Sequence, residues 1–141
     1  MATDDFHENS ATRAGRRVVA TLEARDFDTL ATLFADDYVE VIQRNADTPI
    51  PRDEMLRGIR MLVEHASGTL AIDEITTRGD HLQLHHTRIT VPNADGEADV
   101  VEYLSVMVAD RDGRLVRTEA FEVDRFDDAM ARLEELHRTG P

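Results

Sequence analysis

The chain has 141 residues, no cysteine, no lysine and a formal net charge of −13 at pH 7. This composition excludes disulfide bonds, thiolate metal sites, a cysteine nucleophile and Schiff-base chemistry on a lysine. The negative charge repels phosphate backbones, so we expect no nucleic-acid partner. No apolar run approaches the ~18 residues of a membrane span, and the acidic first residues lack the apolar core of a secretory signal, so we expect a cytoplasmic protein without a membrane partner.

The first half of the chain predicts three helices and one strand. Residues 1–10 are polar and expected to be flexible, and Asn9 or Ser10 can cap the first helix. The spacing of apolar residues then predicts, in chain order, a helix over 11–24, a short helix ending at Asp36 and Asp37, a strand over 38–44, a loop to Pro51 and a helix over 52–66.

The second half predicts four strands and a last helix. The strands are expected at about 69–77, 81–91, 100–109 and 115–123. The last two form a long hairpin, because an Asp-Gly turn signal at 112–113 separates two arms that are rich in β-branched and aromatic residues. Asp124 can cap the terminal helix.

This order of elements predicts an α+β fold in a single domain over residues 11–138. Three helices from the N-terminal half would cover one face of a strongly curved antiparallel or mixed sheet, and the C-terminal helix follows the last strand. Such a cone leaves a pocket at its open end.

Three stretches of the chain are similar to motifs of one known superfamily. Residues 24–39 read ARDFDTLATLFADDYV and resemble its opening ARDWDALAALFADDYV, residues 110–116 (DRDGRLV) resemble its hairpin turn D-x-D-G-R-I, and residues 119–133 (EAFEVDRFDDAMARL) resemble its closing VFDPDDLDAALARL. The chain therefore resembles the NTF2-like superfamily, in its SnoaL-like and ketosteroid-isomerase-like branch, with motifs of an actinobacterial type. The resemblance implies the cone fold but no single activity, because this scaffold hosts many.

The resemblance also locates three positions that ketosteroid isomerases use. Their general-base aspartate, oxyanion-hole tyrosine and protonated aspartate correspond to Ile42, Val18 and Ser105 of this chain. Ile42 cannot take a proton and Val18 cannot donate a hydrogen bond, and loss of one such donor can cost ~3–4 kcal/mol of transition-state stabilisation. We therefore expect no steroid isomerase chemistry by that route.

Strand alternation, counted from the shared motifs, assigns side chains to the pocket. The early strand would turn Tyr38, Glu40 and Ile42 inward, and the first hairpin arm Tyr103, Ser105 and Met107. The second hairpin arm would contribute Thr118, Ala120 and Glu122. On the strand over 81–91 the inward set is His86, Arg88 and Thr90, or, after a slip of one residue, His85, Thr87 and Ile89. The two adjacent histidines point to opposite faces, so we expect no metal site.

Two functions are compatible with this pocket. In the first, a SnoaL-like domain binds a small, largely apolar molecule without a cofactor, and the ligand-binding residues are Tyr38, Glu40, His86, Arg88, Tyr103 and Ser105. Leu104, Val106 and Val108 would then lie against a second subunit in a homodimer formed through the sheet. In the second, the protein is a cofactor-independent acid/base enzyme of the isomerase, cyclase or epoxide hydrolase type, with Glu122 as its acid or base.

Overall fold

The structure is a computed structural model that describes residues 6–140. Four helices and one six-stranded sheet make up the described chain. In chain order they are α1 (Ser10–Glu23), α2 (Phe27–Thr32), β1 (Phe34–Ile42), β2 (Ile50–Pro51), α3 (Arg52–Ala66), β3 (Thr69–Arg78), β4 (Leu82–Pro92), β5 (Ala98–Ala109), β6 (Leu115–Phe121) and α4 (Phe126–Thr139). No helix in this part of the chain is both long and apolar enough to cross a membrane.

The predicted α+β architecture is confirmed, with a mixed sheet in the order β2-β1-β6-β5-β4-β3. β1 pairs with β6 in parallel, and the other pairs are antiparallel. The Asp-Gly turn joins β5 and β6 as predicted, and Gly113 adopts the left-handed φ of 81° that a turn of this kind requires. The hairpin therefore lies at the centre of the sheet.

The described part of the N-terminal segment is attached to the sheet at the turn between β3 and β4. The side chain of Asn9 accepts a hydrogen bond from Thr12 in a capping box and donates to the carbonyl oxygens of Gly79 and Leu82. The His7 amide donates to Thr77. These contacts fix the start of α1 against the β3–β4 turn. The first five residues of the expected flexible segment lie outside the described residues.

Two apolar cores lie on opposite faces of the sheet. The inner core packs α1, α2 and α3 against the concave face, with buried residues that include Val18, Leu30, Met55 and Val63. The outer core lies between α4 and the convex face. Its buried members are Leu82, Leu84, Leu104, Val106, Val108, Phe121, Ala129, Leu133 and Leu136.

The outer core corrects the predicted dimer surface. Leu104, Val106 and Val108 point away from the pocket as predicted, but α4 of the same chain covers them. Their relative exposures of 6%, 0% and 2% leave no apolar surface at these positions for a second subunit. The physical reason is that α4 folds back over the outer face of the hairpin and buries it within one chain.

A buried ion pair attaches α4 to the sheet beside this core. The Glu119 carboxylate is 2% exposed and accepts hydrogen bonds from Arg132 on α4, through Nε at 2.9 Å and Nη2 at 2.9 Å. Arg117 donates to the same carboxylate at 2.6 Å, and Gln43 donates at 3.0 Å. Burial alone would raise the pKa of Glu119, but the bonds from the two arginines outweigh it and hold the pKa below its usual range.

Candidate functional site

A partly enclosed cavity of about 160 Å³ lies between the concave face of the sheet and the helices α1 and α3. The helices contribute apolar walls, including Val18, Leu22, Met55 and Ile59. Every strand except the two-residue β2 contributes to the opposite wall. The lining is mostly apolar, with a few polar side chains from β1, β4, β5 and β6, which is the usual composition of a site for a small molecule.

The pairing of β4 with β5 decides which of the two histidines faces the cavity. His85 lies opposite Ser105 and Thr87 lies opposite Tyr103, and all four line the cavity. Ile89 lines it as well. The alternative assignment, in which His85, Thr87 and Ile89 face the pocket, is therefore the correct one. The inward placement of His86 and Arg88 is wrong, because side chains alternate along a strand and those of even number on β4 point outward.

His86 and Arg88 instead belong to a charged cluster on the outer face. The Arg88 guanidinium donates to Asp73 at 2.9 Å, and His86 lies 3.3 Å from the Glu102 carboxylate. Ion pairs of this kind on a half-exposed sheet face contribute little to stability. Neither residue reaches the cavity in this arrangement.

Glu122 also lies outside the cavity. β6 ends at Phe121, so the alternation that places Thr118 and Ala120 on the cavity wall does not continue to Glu122. Its side chain is 45% exposed and forms an ion pair with Arg44 at 3.4 Å. The expectation that Glu122 faces inward is therefore wrong, and the carboxyl lacks the apolar surroundings that the acid/base role assumed.

Tyr38, Glu40 and Thr118 line the cavity together. Thr118 is paired with Glu40 across β1 and β6, and both side chains affect the pKa of the Tyr38 hydroxyl. Burial raises the pKa of Tyr38, so the phenol stays protonated. Burial also raises the pKa of Glu40, and the Tyr38 hydroxyl opposes that shift only in part.

His85 lines the cavity as a neutral imidazole. It is 1% exposed, and burial, with a smaller contribution from the neighbouring His86, lowers its pKa to about 4. Its Nδ1 is buried without a hydrogen-bond partner among the described residues. From the sequence, His85 was expected in the pocket only as the alternative to His86, and the adjacent pair of histidines was the one signal for it.

The remaining polar lining comes from β4 and β5. Ser105 is 4% exposed, and its hydroxyl lies 2.9 Å from that of Thr87. Tyr103 is half-buried on the same wall. Of the six residues predicted to bind the ligand, the cavity thus brings together Tyr38, Glu40, Tyr103 and Ser105. Thr87 and Thr118 add hydroxyl groups that were not singled out.

The three positions inferred from the isomerase resemblance all lie on the cavity wall. Val18 on α1 and Ile42 on β1 are apolar there, and Ser105 on β5 is the one polar member. The family model for the SnoaL-like domain matches residues 15–118, a span that includes all three. The chain belongs to the SnoaL-like domain family. Comparison with curated proteins finds no match.

Several solved structures share the fold of this chain. The SnoaL-like chain has a TM-score of 0.66 to RV0760c from Mycobacterium tuberculosis, solved with estradiol-17β-hemisuccinate; the identity is 15%, over 83% of this chain and 97% of that one. A computationally designed 17-OHP binder has a TM-score of 0.67 at 12% identity, over 83% and 95%. An NTF2-like protein of unknown function from Exiguobacterium sp. 255-15 has a TM-score of 0.59 at 16% identity, over 82% and 99%. At these identities the likeness shows the fold alone.

Proposed function

We propose that this SnoaL-like domain binds one small, largely apolar molecule in the cavity between the sheet and the helices α1 and α3. The observation that carries the proposal is the cavity itself, which is partly enclosed, about 160 Å³ in volume and lined mainly by apolar side chains. Burying an apolar ligand there removes its surface from water, which is the main favourable term in such binding. RV0760c was solved in complex with estradiol-17β-hemisuccinate, and another structural neighbour is a designed 17-OHP binder, which supports a binding role for this scaffold.

The volume of the cavity sets the size of the ligand. A cavity of about 150 Å³ is enough for a molecule of the size of benzene, whereas pockets for drug-sized ligands measure roughly 300–1,000 Å³. A single ring with a short substituent fits the space of about 160 Å³, and a four-ring steroid does not. Together with the apolar residues Ile42 and Val18 at two of the three isomerase positions, this argues against steroid isomerase activity.

The proposal is tested by calorimetric titration of benzyl alcohol, a neutral one-ring probe, into the full chain. Ala120→Leu adds three carbon atoms to the cavity wall and should weaken binding at least tenfold. Ala131→Leu introduces the same side chain on the exposed face of α4 and serves as the matched control. Saturable binding that Ala120→Leu abolishes and Ala131→Leu preserves would support the site. Binding that is absent in the unmodified protein, or unchanged by Ala120→Leu, would refute it.

The alternative hypothesis of an acid/base enzyme has lost its support, because it depended on Glu122 as the acid or base. A general acid or base has to come within about 3 Å of the reacting group, directly or through one water. Glu122 is half-exposed, paired with Arg44 and absent from the cavity wall, so we do not propose it as an acid or base for a ligand held there.

A further inference from the structure

We propose that the ligand of the cavity is a small primary amine, whose ammonium group pairs with the Glu40 carboxylate while its apolar part fills the remaining space. This inference rests on the proposed function and adds the charge of the ligand's polar end. It follows from two properties of the cavity wall, which are the distribution of charge and the capacity of the Glu40 carboxyl to accept hydrogen bonds.

Glu40 is the only aspartate, glutamate or arginine that lines the cavity among residues 6–140. The one titratable base on the wall, His85, is neutral near pH 7 because burial lowers its pKa to about 4. No side chain of the described lining therefore supplies a counter-charge to an ionised Glu40. A buried carboxylate without a counter-charge is unfavourable, and an ammonium group of the ligand supplies the missing charge.

The Glu40 carboxyl is the strongest hydrogen-bond acceptor on the wall. Its two oxygens can accept bonds from a ligand as well as from the neighbouring Tyr38 hydroxyl. The hydroxyls of Thr87 and Ser105 lie 2.9 Å apart and bond to each other. A primary ammonium group offers three donors and no acceptor, so it matches an ionised Glu40. A carboxylate ligand offers only acceptors and would bring a like charge towards Glu40.

The pH dependence of ligand affinity provides a second, independent test of the amine assignment. Burial raises the pKa of Glu40 when the cavity is empty, whereas an adjacent ammonium group favours the ionised carboxylate. Protonation of Glu40 therefore competes with amine binding as the pH falls. A neutral ligand of the same shape does not make this contact with a charge, so its affinity depends less on pH.

The experiment compares three one-ring probes, benzylamine, benzyl alcohol and benzoate, by calorimetric titration into the full chain at neutral pH. A charge-assisted hydrogen bond in a buried site predicts that benzylamine binds about tenfold or more tightly than benzyl alcohol, and that benzoate does not bind. Glu40→Gln should reduce the preference for the amine to less than about threefold. Glu102→Gln on the outer face removes the same charge outside the cavity and should leave the preference unchanged.

Each outcome separates this inference from the proposed function. If benzyl alcohol binds as tightly as benzylamine, or if Glu40→Gln keeps the preference, the amine assignment is wrong and the binding function stands. If none of the three probes binds, both are wrong. Benzyl alcohol binding by Glu40→Gln shows that the variant has kept its cavity. If that variant fails to fold, the unmodified protein still decides the question, because benzylamine should lose more affinity than benzyl alcohol as the pH is lowered from neutral, and equal losses would refute the amine assignment.

Discussion

The buried His85 should make the protein less stable as the pH falls. In the folded chain burial lowers the pKa of His85 to about 4, whereas an unfolded chain restores the ordinary value of about 6.5. Between these two values the unfolded state binds more protons than the folded state. Stability from this residue is therefore complete above about pH 6.5 and is lost as the pH falls towards 4.

The size of the effect follows from the two pKa values. Lowering the pH from about 7.5 to about 5 should remove about 2 kcal/mol of unfolding free energy through His85 alone. Other groups titrate in the same range, and the raised pKa of Glu40 acts with the opposite sign because protonation then favours the folded state. The His85 contribution is therefore isolated as a difference between the unmodified protein and His85→Gln, a neutral variant of similar size.

The assay is urea denaturation of three proteins at several pH values across this range. Relative to the unmodified protein, His85→Gln should gain about 2 kcal/mol of stability as the pH falls from 7.5 to 5, whatever its stability at neutral pH. His86→Gln is the matched control, since the His86 side chain is 24% exposed on the outer face between Asp73 and Glu102. A His85→Gln variant whose stability falls in parallel with that of the unmodified protein would show that His85 is not buried in neutral form.

Three further predictions concern the stability of the fold and the exposed carboxyl of Glu122. Glu119→Gln should lose about 2 kcal/mol of unfolding free energy in urea denaturation because it weakens the charge-assisted bonds from Arg132, whereas Glu135→Gln, half-exposed, should lose less than about 0.5 kcal/mol. Leu133→Ala should lose about 2–5 kcal/mol in the same assay, since Leu133 on α4 is fully buried between that helix and the sheet; a loss below 1 kcal/mol would contradict the outer core. Glu122→Gln should bind benzyl alcohol as the unmodified protein does, and a tenfold change in Kd would return Glu122 to the site.

Periodicity predicted the order of elements because most of them have one buried face. The helix stripes and the two hairpin arms follow this rule, and the predicted order is confirmed. The start of β1 was placed too late. Phe34 already pairs with Leu115, and the ladder shifts register before Val39, so the exposed Asp36 and Asp37 lie within the strand rather than at a helix end. β2 was missed because two residues carry no periodic signal.

The orientation of β4 could not be predicted, for a related reason. Its first four residues, from Leu82 to His85, are all buried, because α4 covers one face and the inner core the other. Where both faces of a strand are buried, polar and apolar residues no longer alternate, and a slip of one residue exchanges the whole inward set. Knowledge that α4 covers Leu82 and Leu84 would have assigned His85 to the cavity.

The placement of Glu40 shows why the activity of this family member cannot be transferred from family positions. The resemblance places the isomerase base at Ile42, on the same inner face of β1 but two residues, or about 7 Å, further along the strand. A substrate placed against that position would contact an aliphatic side chain here. A ligand of this cavity meets its only carboxyl at Glu40, beside Tyr38 and Thr118. The shared fold therefore supplies the walls, while the position of one carboxyl on β1 decides which polar group the cavity can accept.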